Sequence, residues 1–146
     1  MLQLSESAGQ LTLQAPVWTG LLALAFGAAL AVYVVRGKAK GKVFGVGMAM
    51  LICIGYGWHL LFAKTRLDEA GIVVRGALGV EASASWGEVT AVSVEERTGG
   101  KGGPTPFLVL ARGSGPAVEV RIGGLALESR VRVIDYARAK LSPAAR

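Results

Sequence analysis

The side chains able to do chemistry are few in this sequence and poorly placed for it. There is one imidazole, His59, and one thiol, Cys53. Both lie in the apolar run VFGVGMAMLICIGYGWHLLFA, and from Lys64 onward there is no histidine. That removes any Ser-His-Asp or Cys-His arrangement from the polar part of the chain, because such nucleophiles need a neighbouring base. One Cys and one His also exclude a Cys/His zinc site within a single chain, and a lone Cys excludes an intrachain disulfide. His59 could serve a proton relay or ligate haem, but beside Trp58 at a helix end it reads more simply as an interfacial residue. The paired carboxylates, Asp68/Glu69 and Glu95/Glu96, fall in turn or strand-end positions. General acid–base work would need a pocket that shifts their pKa. The segment TGGKGGPTP resembles a phosphate cradle, yet a P-loop needs GxxxxGK[ST] opening into a helix. Here Gly102 follows Lys101 and a strand follows the loop, so a flexible hairpin loop is expected. The sequence predicts no enzyme, no cofactor and no metal.

Charge narrows the partners. Of the net charge of +6, four bases (Arg36, Lys38, Lys40 and Lys42) crowd into one short segment without an acid. Residues 64–146 carry twelve Lys/Arg against nine Asp/Glu, a mixed surface. Nucleic-acid binding needs a concentrated basic stripe, so no nucleic-acid partner is expected.

The elements that must position these residues begin with two apolar segments. Pro16 to Val35 is 20 residues without a charge. At 1.5 Å per residue it spans about 30 Å, the thickness of the hydrocarbon core. Val43 to Ala63 repeats the case over 21 residues. A cleaved signal peptide would want a basic leader and a shorter apolar core; the first 15 residues carry a single charge, Glu6. The pair reads as a transmembrane helical hairpin over 16–63 (16–35 and 43–63), turning through RGKAKGK. Trp18 opens the first span while Tyr56, Trp58 and Phe62 close the second, with Tyr33 and Phe44 at the other interface, the depths that amphipathic rings favour. Ala23, Gly27 and Ala31, with Ala49, Cys53 and Gly57, have spacings that would let the helices approach. Arg36, Lys38, Lys40 and Lys42 form a basic turn at the membrane surface. The positive-inside rule places that turn in the cytoplasm and the soluble domain outside.

From Lys64 the pattern changes to short strands and turns. TRL, the turn DEAG and IVVRG form a hairpin, and Ala82–Ser85 extends the sheet. Val89–Glu96 alternates, and Phe107–Arg112 is nearly continuous in apolar residues, as in a buried strand. In Ala117–Ile122, Val118, Val120 and Ile122 share one face. After Gly123–Gly124, Leu127, Val131, Ile134, Ala137 and Leu141 recur at helical spacing, predicting an amphipathic helix over 125–141 that covers an open sheet. The first 15 residues, with Leu2/Leu4 and Leu11/Leu13 around Gly9, could form a hairpin, pair with a sheet edge, or fray.

The fold class expected is therefore an α+β membrane protein: a helical hairpin, then a small antiparallel β-sandwich or partly open barrel over 64–146, capped by a helix. RLDEAGIVVRG, SWGEVTAVSVEER and the helix after RIGGLALES together make this region resemble the bacterial pleckstrin-homology-like (PH-like) domain, which often follows pairs of membrane spans. The resemblance implies that Trp86 and Val89 are apolar plugs at a β corner, with Glu88 exposed. The core expected is Trp86, Val89, Val118, Val120, Val131 and Ile134. It also implies a multi-pass protein of the bacterial inner membrane with its domain in the cytoplasm, against the basic turn. The function expected is a non-catalytic, membrane-anchored scaffold or accessory subunit, with membrane lipids and a protein partner (a second copy or a subunit of a membrane complex). The alternatives are a lipid-headgroup-binding protein using Arg66 and Arg75, or a small transporter or channel subunit.

Overall fold

In a computed structural model, residues 2–7, 9–37, 43–98 and 103–141 are described. The elements run β1 (Gln3–Ser7), β2 (Gln10–Gln14), α1 (Val17–Val35), α2 (Val43–Phe62), β3 (Lys64–Leu67), β4 (Gly71–Gly76), β5 (Gly79–Ser85), β6 (Val89–Thr98), β7 (Pro104–Arg112), β8 (Val118–Arg121) and α3 (Leu127–Lys140). The chain is α+β, with two antiparallel sheets that do not close on each other: β1-β2-β3-β4-β5 and β6-β7-β8.

The first sheet begins before the apolar helices and resumes after them. β1 and β2 form a hairpin through Gly9, whose positive φ of 75° suits a turn. β2 then pairs antiparallel with β3, with Leu11 opposite Leu67 and Thr12 opposite Arg66. Alternation sends Leu11, Leu13 and Leu67 inward, where they are 2, 3 and 0 % exposed. β1 and β2 thus form the hairpin expected there and share a sheet with β3, with Leu11 and Leu13 in the core.

α1 and α2 pack along each other through glycine. A Cβ on Gly57 would come within 2.9 Å of the Gly20 carbonyl oxygen, and one on Gly20 within 2.6 Å of Leu61 Cγ. Only a residue without a side chain lets the backbones meet this closely. Gly27 lies against Cys53 and Ile54 further along, whereas Ala49, expected at the contact, is exposed. The outer surface of the pair is apolar: Leu21, Phe26, Leu51 and Ile52 are 54, 61, 60 and 64 % exposed. Both helices are long and apolar enough to cross a membrane.

The domain core joins both sheets to α3. Ile72, Leu108, Leu110, Val118, Ile122 and Val133 are fully buried with Leu11 and Leu67. Burial of side chains of this size contributes about 1.5–3 kcal/mol each. Trp86, Val89, Val118 and Val120 lie in this core, and Ile134 packs half-buried against it. Val131 does not: it is 49 % exposed, and Leu127 on the same stripe is 73 % exposed. The helix instead buries Val133 and Ala137, both 0 % exposed. Arg130 stands on the same face as these two, and its Nε and Nη2 donate to the carbonyls of Leu125 and Gly123 at 2.9 and 3.1 Å. Those bonds are compatible with a rotation in which Val133 and Ala137 face the sheet.

Candidate functional site

Each residue singled out in the sequence can now be placed. Cys53 is half-buried between the paired helices, and His59 is exposed near the end of α2. Asp68 is engaged at the β3–β4 turn. Its Oδ1 accepts the Ala70 and Gly71 N–H groups at 3.0 and 3.1 Å, and its Oδ2 meets Arg66 Nε at 3.2 Å. It therefore shapes the β3–β4 turn. Glu95 and Glu96 are exposed on β6. Arg97 bridges Glu95 and, bidentately, Glu119 across the second sheet, with both Glu119 contacts at 2.7 Å. The Glu119 carboxyl is lowered from its ordinary range by that hydrogen bonding, and the Arg97 guanidinium is raised by the same contact. Among the described residues no three His, Cys, Asp or Glu side chains group as metal ligands.

Trp86 closes one end of the domain. Its indole Nε1 donates to the Asp68 carbonyl at 2.7 Å, and its ring meets Tyr136 of α3 edge-on at 6.3 Å. The Tyr136 hydroxyl in turn donates to the Gly9 carbonyl at 2.8 Å. Three turns and the helix are tied at this corner, β1–β2 by Gly9, β3–β4 by Asp68 and β5–β6 by Trp86. Glu88 stays outside, capping the Ser85 N–H. Burial, with Asp68 and Glu69 nearby, raises the Tyr136 hydroxyl above its ordinary value.

At the ends of the apolar pair, Trp18, Tyr56, Trp58 and Phe62 are 60, 60, 49 and 48 % exposed, and the Gly20–Gly57 contact brings their ends together. Trp58 stacks on Phe62 at 4.3 Å and donates from Nε1 to the Ala77 carbonyl at 3.4 Å, a direct link from α2 to the domain. Tyr33 is 44 % exposed near the opposite end of α1, and Arg36 is exposed beyond it. Lys38, Lys40 and Lys42 lie outside the described residues, as do residues 99–102 of the expected hairpin loop.

Where α2 meets the domain there is an open cavity of about 590 Å³. One wall is Tyr56, His59 and Leu60 of α2; the other includes Thr105, Arg121 and Arg130. Among the described residues no carboxylate lines it. The Arg121 side chain enters no hydrogen bond or ion pair among the described residues, and Arg130 keeps its place through the two carbonyls above. The residues of this cavity were not evident in the sequence. Their segments, around 56–60, 104–106 and 121–130, are distant along the chain, and Arg121 reads only as the outward member of an alternating strand. No protein-family model matches the chain, and no curated protein matches it.

Proposed function

We propose that this chain is a non-catalytic, membrane-anchored PH-like module that holds a protein partner against the membrane surface. The observation that carries it is the pairing of β2 with β3, which builds one domain across both ends of the α1–α2 pair. The outer surface of that pair is apolar along its length, and in this reading a bilayer covers it. Because β2 and β3 are neighbours in one sheet, both ends of the pair return to the same side, as two spans require. Two open antiparallel sheets closed by a C-terminal helix are what the PH-like resemblance implies.

The partner-binding edge in this reading is β1, one of the two edge strands of its sheet. Leu127 and Val131 are exposed on α3, and Val131 shares a groove with Leu4 of β1. The groove is otherwise polar, lined by Glu128, Ser129, Arg132 and Asp135, and an edge strand beside it can accept a further strand. The partner is a second copy or another membrane subunit.

The domain lies in the cytoplasm in this reading. The bases of the α1–α2 turn count against it, but Lys64 and Arg75, paired across β3–β4, and the Arg121/Arg130 cavity bring bases to the other end as well. A lone Cys at the exposed Ser114, in a Cys53→Ala background, tests the side. Protection from an impermeant thiol reagent until lysis is expected, and labelling of intact cells would reverse the orientation. Cross-linking in native membranes tests the partner: a discrete band larger than the chain is expected, and monomer alone would overturn the module reading.

A further inference from the structure

We infer that the cavity between α2 and the domain is a binding site for the phosphate-bearing headgroup of an anionic glycerophospholipid, which clamps the domain to the bilayer surface. This rests on the membrane-anchored reading above and deepens it, naming a lipid as a structural ligand at the junction.

Four observations support it. The volume, about 590 Å³, is that of a small-molecule site. Its charge is one-sided: among the described residues Arg121 and Arg130 line it with no carboxylate, so an anion is the complement the lining lacks. Its donors suit a phosphate: the Arg121 guanidinium makes no hydrogen bond or ion pair among the described residues, and Thr105 lines the same cavity. The fourth observation separates a lipid from a soluble anion. The α2 wall continues into an apolar stripe, since Ile52, Tyr56 and Leu60 share a helix face at i, i+4 and i+8. Ile52 and Tyr56 are 64 and 60 % exposed. An acyl chain following that stripe places its phosphate at the cavity mouth, at the depth where a helix of this length leaves the hydrocarbon. The clamp has mechanical sense because only Trp58 and Gln14 otherwise hydrogen-bond between the apolar pair and the sheet among the described residues.

The test uses the full chain. It is reconstituted in nanodiscs of phosphatidylcholine with or without phosphatidylglycerol, and the lipids retained after release are weighed by native mass spectrometry. Preferential retention of phosphatidylglycerol is expected, reduced about tenfold in Arg121→Gln, the loss typical of one charge-assisted hydrogen bond. Arg138→Gln, the same charge change at an exposed position outside the cavity, should retain lipid as the native chain does. Equal retention of the two lipids would overturn the inference, as would undiminished retention in Arg121→Gln. Displacement of the retained lipid by millimolar inorganic phosphate would also overturn it, since the site would then serve a soluble anion. Failure to insert into phosphatidylcholine nanodiscs at all would instead remove the membrane-anchored reading. Insertion without a lipid preference removes the clamp alone.

Discussion

Leu11 lies directly opposite Leu67 in the ladder between β2 and β3, with both apolar helices between them in the sequence and both side chains buried in the same core. The pairing makes the domain a structure of two chain segments that meet only when α1 and α2 fold back on each other. A cysteine pair at Thr12 and Arg66, which share that register, should form a disulfide on mild oxidation in a Cys53→Ala background. Thr12 with Thr65 is the control, because successive residues on a strand face opposite sides of the sheet. Gel mobility under non-reducing conditions distinguishes them. Cross-linking of both pairs, or of neither, would mean that the β2–β3 register is wrong.

The contact between the apolar helices makes a second prediction with the native thiol. A Cβ at Gly27 would lie 3.5 Å from Cys53 Cβ, within the range a disulfide bridges. Gly27→Cys should therefore cross-link to Cys53 in the presence of a membrane-permeant oxidant. Gly45→Cys, with nothing within 4 Å of its Cβ position, should not. The Gly27 position is crowded by Ile54 Cγ1 at 2.9 Å, but that is a side chain able to turn aside. A free thiol at both positions in Gly27→Cys would show that the helices pair by other faces.

Much of the architecture was legible because it rests on local patterns. The two uncharged runs mark α1 and α2, and the alternation Val118–Val120–Ile122 marks β8 and its inward face. The helix-pair contact was legible only in part: Gly27, Cys53 and Gly57 stood out as small residues, but Gly20 and the leucines opposite it depend on how the helices cross. What the sequence could not fix was rotation and long-range assembly. The spacing Leu127–Val131–Ile134 describes a plausible apolar stripe on α3, and hydrophobicity alone cannot say that Arg130 turns inward to hold two carbonyls. The Trp-Gly-Glu corner was readable as a β corner. That Trp86 binds the Asp68 carbonyl and meets Tyr136 was not, because those partners come from distant segments.

The rotation of α3 separates two valines that the sequence treats alike. Val133→Ala removes buried methyl groups from a side chain that is 0 % exposed and should cost about 2 kcal/mol. Val131→Ala changes a half-exposed site and should stay within about 0.5 kcal/mol. Chemical denaturation of the detergent-solubilised full chain, followed by tryptophan fluorescence, measures both. Equal costs would place Val131 in the core and return the helix to the rotation its spacing implies.

Tyr136 links stability to alkaline pH through the corner that Trp86 closes. Its hydroxyl is held above the ordinary value near 10, first by burial and then by Asp68 and Glu69, so the folded state favours the protonated form. A folded pKa above the unfolded one gives a contribution fully present below the unfolded value and lost as pH rises through the folded value. Stability should therefore decline above about pH 10, as the phenolate that forms loses its donor to the Gly9 carbonyl. Tyr136→Phe removes that hydrogen bond outright, costing about 0.5–1.5 kcal/mol at neutral pH, and it should flatten the alkaline decline. Denaturation midpoints at pH 7 and across pH 9–11 for the two chains provide the comparison. An unchanged alkaline slope in Tyr136→Phe would assign the decline to other groups and leave Tyr136 as a packing residue of the corner.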